Sequence, residues 1–153
     1  MANASVKVTR ARFVVRPYSP DEMVEAGASV IGSIFRRWDL GLDLAGVPAK
    51  PLTARYARSK AKRQGRPIRD LNLTGRLRSS IQVLSPRENG FTIGPIDGGY
   101  PSLFARKSLS FSDVLEANQQ RANMWGIGQA EREVAMQFLR EHPPVSAQIV
   151  KVG

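Results

Sequence analysis

Cysteine is absent from the 153 residues, and histidine occurs once, as His142. The first gap excludes a disulfide framework and a thiolate zinc site. The second leaves any serine nucleophile short of its usual base. Acidic residues are scarce, 13 against 23 lysines and arginines, which gives a net charge of +10. Aromatic residues make up 7%. The longest apolar-rich stretch, Ala28 to Phe35, falls far below the roughly 20 residues that a membrane span needs. The N-terminal sequence MANASVKVTRARFVV lacks the apolar core of a secretory signal. A soluble chain, cytoplasmic at synthesis and without membrane contact, is therefore expected, stabilised by packing or by partner subunits.

What is present fits a single domain, residues 1–153, with 42% hydrophobic and 24% charged residues and substantial loop from 13 glycines and 10 prolines. The positive charge is concentrated. Segment 50–78 holds ten basic residues (Lys50, Arg55, Arg58, Lys60, Lys62, Arg63, Arg66, Arg69, Arg76 and Arg78) against one acid, Asp70. The remainder of the chain is nearly neutral. One region thus needs one explanation for its charge.

Local patterns outline an α+β domain: a long N-terminal helix and a C-terminal helix packed on a small antiparallel sheet. Val6 to Val15 reads as a strand. Ser19 and Glu22 form a capping box around Pro20, and Met23, Val30, Ile31, Ile34, Phe35 and Trp38 recur at helical spacing, so a helix is predicted from Pro20 to about Asp39. A Gly- and Pro-rich loop leads to a second helix, Thr53 to about Arg63, with little apolar content. Thr74 is placed to cap a short helix through Ser80 that aligns Leu73, Leu77 and Ile81. A hairpin follows, Ile81 to Leu84 and Phe91 to Ile96, turning at SPRENG. Short and longer helices are expected over Ser112 to Asn118 and Gln129 to Glu141, the latter stopped by His142-Pro143-Pro144, with a closing strand in VSAQIVKV.

Candidate chemistry is thin. Ser79 and Ser80 lack a neighbouring base and read as polar positions on a short helix. The pairs Asp39/Asp43 and Glu131/Glu133 show no cation-loop pattern and read as solvated surface. Asn72-Leu73-Thr74 matches a glycosylation sequon without a secretory context. No phosphate-binding glycine motif occurs, and no cofactor is implied. The basic stretch is the exception, because clustered arginines and lysines neutralise phosphates. Its single aromatic, Tyr56, gives no stacking platform for single strands. Arg55, Arg58, Lys62, Arg63, Arg66, Arg76 and Arg78 are the candidate partner- or DNA-facing residues. Met124 and Trp125 are candidate interface residues, since large apolar side chains recur at binding hot spots.

The segment GLDLAGVPAKPLTARYARSKAKRQGRPIRDLNLTGRLRSSIQV, followed by RANMWGIGQAEREVAMQFL, resembles the virion-morphogenesis and tail-completion proteins of tailed bacteriophages. The matching positions are Gly46, Pro48, Leu52, Tyr56, Ala57, Lys60, Leu71, Thr74, Gly75, Leu77, Ser80 and Ile81, then Arg121, Trp125, Gly126 and Ile127. A "YA.iH..G" element of many members is missing, and YPSLFARKSLSFSDVLEANQQ stands in its place. The resemblance implies a noncatalytic structural protein of the head-tail connection, a tail-completion or neck component assembled as a homo-oligomeric ring in the virion. Its partners would be other phage head-tail or tail proteins, with non-specific contact to packaged DNA. The readings from other classes are a small basic DNA-binding module and an enzyme acting on phosphate esters, for which the base and metal ligands are missing.

Overall fold

A computed structural model describes residues 8–15, 17–71, 75–96, 98–100, 109–143 and 145–152. The fold is α+β. Strand β1 (Val8–Val15) precedes helices α1 (Pro20–Asp39), α2 (Ala54–Gln64) and the short α3 (Arg76–Ser80). Strands β2 (Ile81–Arg87), β3 (Gly90–Pro95), β4 (Gly99–Tyr100) and β5 (Leu109–Ser110) follow, then α4 (Phe111–Ala122), α5 (Gln129–Glu141) and β6 (Val145–Val152). The strands form three two-stranded antiparallel ribbons, β1 with β6, β2 with β3 and β4 with β5, in place of the one small sheet expected.

Helix α1 forms where its start signal says it should. Ser19 caps it by accepting from the backbone N–H of Glu22 at 3.2 Å, and Pro20 fills the first turn. Its buried positions, Met23, Ala26, Val30, Ser33, Ile34, Arg37 and Trp38, recur at three- and four-residue steps. One side of α1 lies against the β2–β3 hairpin and another against α5. The approach to the hairpin requires a glycine. A Cβ at Gly27 would stand 2.4 Å from a methyl carbon of Val83. Since α5 packs chiefly on α1, the expected arrangement of two helices on one sheet is replaced by a helix pair with the hairpin on one partner.

The core is shared by α1, α3 and α4. Val30, Ile34, Trp38, Leu77, Ile81, Phe111, Leu115 and Met124 are all buried in one cluster, each worth on the order of 1.5–3 kcal/mol as an upper figure for full burial. The tilted ring pairs Phe35–Trp38 and Trp38–Trp125, with centroids 5.7 and 6.1 Å apart, extend it. Leu73 and Thr74, assigned from sequence to the face and cap of α3, lie outside the described residues, as does the Asn72-Leu73-Thr74 sequon. The capping position of α3 is Gly75 (φ 76°), which makes no side-chain cap.

Other boundaries shift for local reasons. Helix α4 runs from Phe111 to Ala122, beyond the predicted Ser112 to Asn118, because Ser110 and Asp113 form a reciprocal capping box and Asn123 closes the end with φ 50°. The hairpin pairs Ile81 with Pro95 and Val83 with Ile93, and a bulge after Leu84 carries β2 on to Arg87.

Candidate functional site

The basic segment divides into fastened and unfastened cations. Helix α2 starts at the Thr53 cap and ends at Gly65 with φ 70°. It makes only sparse contact with the other described helices and strands. Lys60 ties it down: this side chain is buried, pairs with Asp70 and donates to the Ile68 carbonyl at 2.6 Å. Arg66 lies past the helix end and donates to the backbone oxygen of Asp39. It therefore does not continue the α2 stripe.

Arg78 belongs to the body of the protein. Its guanidinium donates to Asp39 Oδ1 at 2.7 Å and to the Asp70 carbonyl at 2.6 Å, and lies 5.5 and 5.8 Å from the Phe35 and Trp38 ring centroids. Such contacts make it a strut between α1 and α3 and remove it from the partner-facing set. Arg76 is exposed on the first turn of α3. Arg55, Arg58, Lys62 and Arg63 are exposed on α2 and make no hydrogen bond or ion pair among the described residues. No acid occupies the first turn of α2, while Arg55 does. A cation there opposes the helix dipole at roughly 0.3–1 kcal/mol. Lys62 and Arg63, in the last turn, are favoured by the same dipole, so helix stability accounts for the C-terminal part of the stripe and not for Arg55.

Met124, expected at an interface, is fully buried in the core, so this assignment is corrected. Its carbonyl accepts from Trp38 Nε1 at 3.0 Å and from Arg37 Nη1 at 2.9 Å. Trp125 is half-buried against the core, which leaves it partly accessible. The loop carrying both residues is held by a device that the sequence reading missed. Glu131, read from sequence as solvated surface, is fully buried and takes Arg37 Nε at 2.9 Å and the Gly128 N–H at 2.8 Å. The available signal was Arg37, on the apolar side of α1 one residue before Trp38.

Ser79 and Ser80 donate to the carbonyls of Gly75 and Leu77 at 2.9 and 2.6 Å. The His142 ring stacks on Phe138 with centroids 4.2 Å apart. Asp43 accepts from the Ala45 and Val47 N–H groups in a turn. Among the described residues no group of three histidines or carboxylates is placed to hold a metal ion, and no helix is long and apolar enough to cross a membrane.

Beside α2 lies a cavity of about 350 Å³. Leu52, Tyr56, Lys60, Leu71, Leu77 and Arg121 contribute to its wall, from three separated stretches of sequence. No family model, curated protein or solved structure matches the chain. Arg69 also faces this cavity; burial, and then the neighbouring Arg121 guanidinium, lower its pKa from the ordinary arginine value.

Proposed function

We propose that this chain is a noncatalytic structural protein of the head-tail connection of a tailed phage, a tail-completion or neck component that works as a homo-oligomeric ring. The reading rests on the sequence resemblance, and the observation that supports it is that six of the resemblance positions, Leu52, Tyr56, Lys60, Leu71, Leu77 and Arg121, line one cavity together with Thr53, Arg69, Val114 and Asn118. A second support is the exposed cationic stripe Arg55, Arg58 and Lys62 on a sparsely anchored helix, a surface suited to acidic neighbours or to passing DNA.

In this reading the chain assembles in the host cytoplasm and resides in the virion, between other head-tail or tail proteins. Quantitative mass spectrometry of purified particles tests it. Several copies per virion, with labelling at the head-tail junction, are expected. A single copy, or absence from the particle, rejects the ring.

The exposed stripe also favours one other reading, a small DNA-binding module. Its mark would be affinity of the isolated chain for duplex DNA that falls steeply with salt, since each neutralised phosphate releases counterions.

A further inference from the structure

Three cations border the cavity beside α2, and they are not equivalent. Lys60 is spoken for by Asp70 and the Ile68 carbonyl. Arg69 is half-buried, and its guanidinium reaches only uncharged oxygens: Lys50 O at 2.9 Å, Asn118 Oδ1 at 3.3 Å and Pro51 O at 3.5 Å. Arg121 is exposed and has no hydrogen-bond or salt-bridge partner among the described residues. Two guanidiniums thus share one cavity whose described lining holds no carboxylate, and Arg121 is near enough to disfavour the charge of Arg69.

The remaining wall is mixed. Leu77 and Leu71 lie against the core, Leu52, Val114 and the Tyr56 ring add apolar surface, and Thr53 and Asn118 add polar groups. A cavity of about 350 Å³ falls in the range of pockets that enclose a ligand of several side chains' size, roughly 300–1,000 Å³. A lone phosphate would fill a small part of it. Duplex DNA presents its phosphates on a convex backbone and gains nothing from leucine walls, and the open stripe of α2 is the surface that suits it. The ligand that satisfies both halves is a carboxylate attached to an apolar group.

We infer that this cavity is a docking pocket for an acidic, leucine-like segment of a neighbouring protein, one carboxylate bridging Arg69 and Arg121 while an apolar side chain rests on Leu71 and Leu77. Charge complementarity favours this occupant, because segment 50–78 carries ten basic residues against one acid. Bidentate guanidinium-carboxylate pairing fixes the angle at which the segment enters. The inference rests on the reading of the chain as an assembly component, and it supplies that reading with a contact of defined chemistry.

The test uses the full chain and three probes: the blocked dipeptide N-acetyl-leucyl-glutamate amide, its leucyl-glutamine counterpart, and inorganic phosphate. Binding is followed by NMR at the Leu77 methyl groups and the arginine Nε–H signals. The glutamate dipeptide is expected to shift both sets saturably, at about millimolar affinity. The glutamine dipeptide and phosphate are expected to leave the Leu77 methyls unmoved. Arg121→Gln, at an exposed position, keeps the fold by circular dichroism and weakens the glutamate dipeptide by about tenfold. The inference is overturned if the glutamate dipeptide moves neither signal set, if phosphate or the glutamine dipeptide acts equally, or if Arg121→Gln binds like the parent. These results are independent of virion copy number, so the pocket and the particle reading fail separately.

Discussion

Arg37 and Arg69 are both arginines drawn at least partly out of water, and the protein treats them in opposite ways. Around Arg37 every charge is answered from within the chain: Glu131 takes Nε, and the carbonyls of Met124 and Gly126 take the terminal nitrogens at 2.9 and 3.1 Å. Around Arg69 the chain supplies neutral oxygens and a second guanidinium. A half-buried cation without a counterion carries a desolvation cost that hydrogen bonds to neutral oxygens offset in part. The α1–α5 junction thus balances its own charge, while the described residues around the α2 cavity supply Arg69 and Arg121 with no carboxylate.

Leu77 is common to both regions, since it is buried in the core and also forms cavity wall. Leu77→Asp should give the largest effect of all. Truncation alone costs about 2–5 kcal/mol at such sites, and a buried carboxylate adds to that. A melting point lowered by less than about 5 °C, at the roughly 2–4 °C per kcal/mol of a domain this size, would show that the two regions do not share this wall.

Glu131→Ala comes next, because it leaves the Arg37 guanidinium buried without its carboxylate. A loss of about 3–5 kcal/mol is expected in denaturant unfolding. The double change Arg37→Met with Glu131→Leu should recover most of it, as apolar replacements of buried pairs commonly do. If the double variant is as unstable as the single one, the junction depends on more than its charge balance. Gly128→Ala probes the same junction sterically. Its Cβ would stand 2.5 Å from the Leu44 carbonyl oxygen, a backbone atom that cannot swing aside. Overpacking of this kind costs about 1–3 kcal/mol, measured against an unchanged unfolding slope.

The contrast between the two regions was half legible in the sequence. Helix α1 could be read from Ser19, Pro20 and the spacing of Val30, Ile34 and Trp38, since capping and amphipathic periodicity are local signals. The α+β class and a hairpin turn within SPRENG came from signals of the same kind, and the turn falls on Glu88 and Asn89 with Gly90 opening β3. The Arg37–Glu131 pair did not, because its partners are 94 residues apart and nothing local marks a glutamate for burial. For the same reason Met124 read as an interface candidate: a large apolar residue beside Trp125 suits a hot spot as well as a core, and only the fold brings Trp38 and Arg37 to its carbonyl. The basic segment was visible as composition. Which of its cations are consumed internally, as Lys60 and Arg78 are, required the positions of Asp70 and Asp39.

The smallest effect on stability, and the most informative one for assembly, is expected from Arg58→Glu combined with Lys62→Glu. Both side chains are exposed on α2 and engage no described acid. Surface substitutions of this kind move stability by no more than about 0.5 kcal/mol. The local charge terms roughly cancel: Arg55 gains an attractive partner at 58, positions 58 and 62 still carry like charges at i,i+4, and a glutamate at 62 in the last turn opposes the helix dipole. The isolated variant should therefore melt with the parent. Assembly should respond far more strongly. A stripe that meets an acidic neighbour or the phosphates of packaged DNA turns repulsive on reversal, and the repulsion repeats in every subunit of a ring. Particles carrying both changes are expected to assemble poorly or to lose DNA. A compensating acid-to-lysine change in a neighbouring virion protein would restore them if the stripe faces protein, and none would do so if it faces DNA. Parent-like particles with parent-like infectivity would reduce the stripe to ordinary solvated surface and leave the cavity at Arg69 and Arg121 as the candidate contact among the described residues.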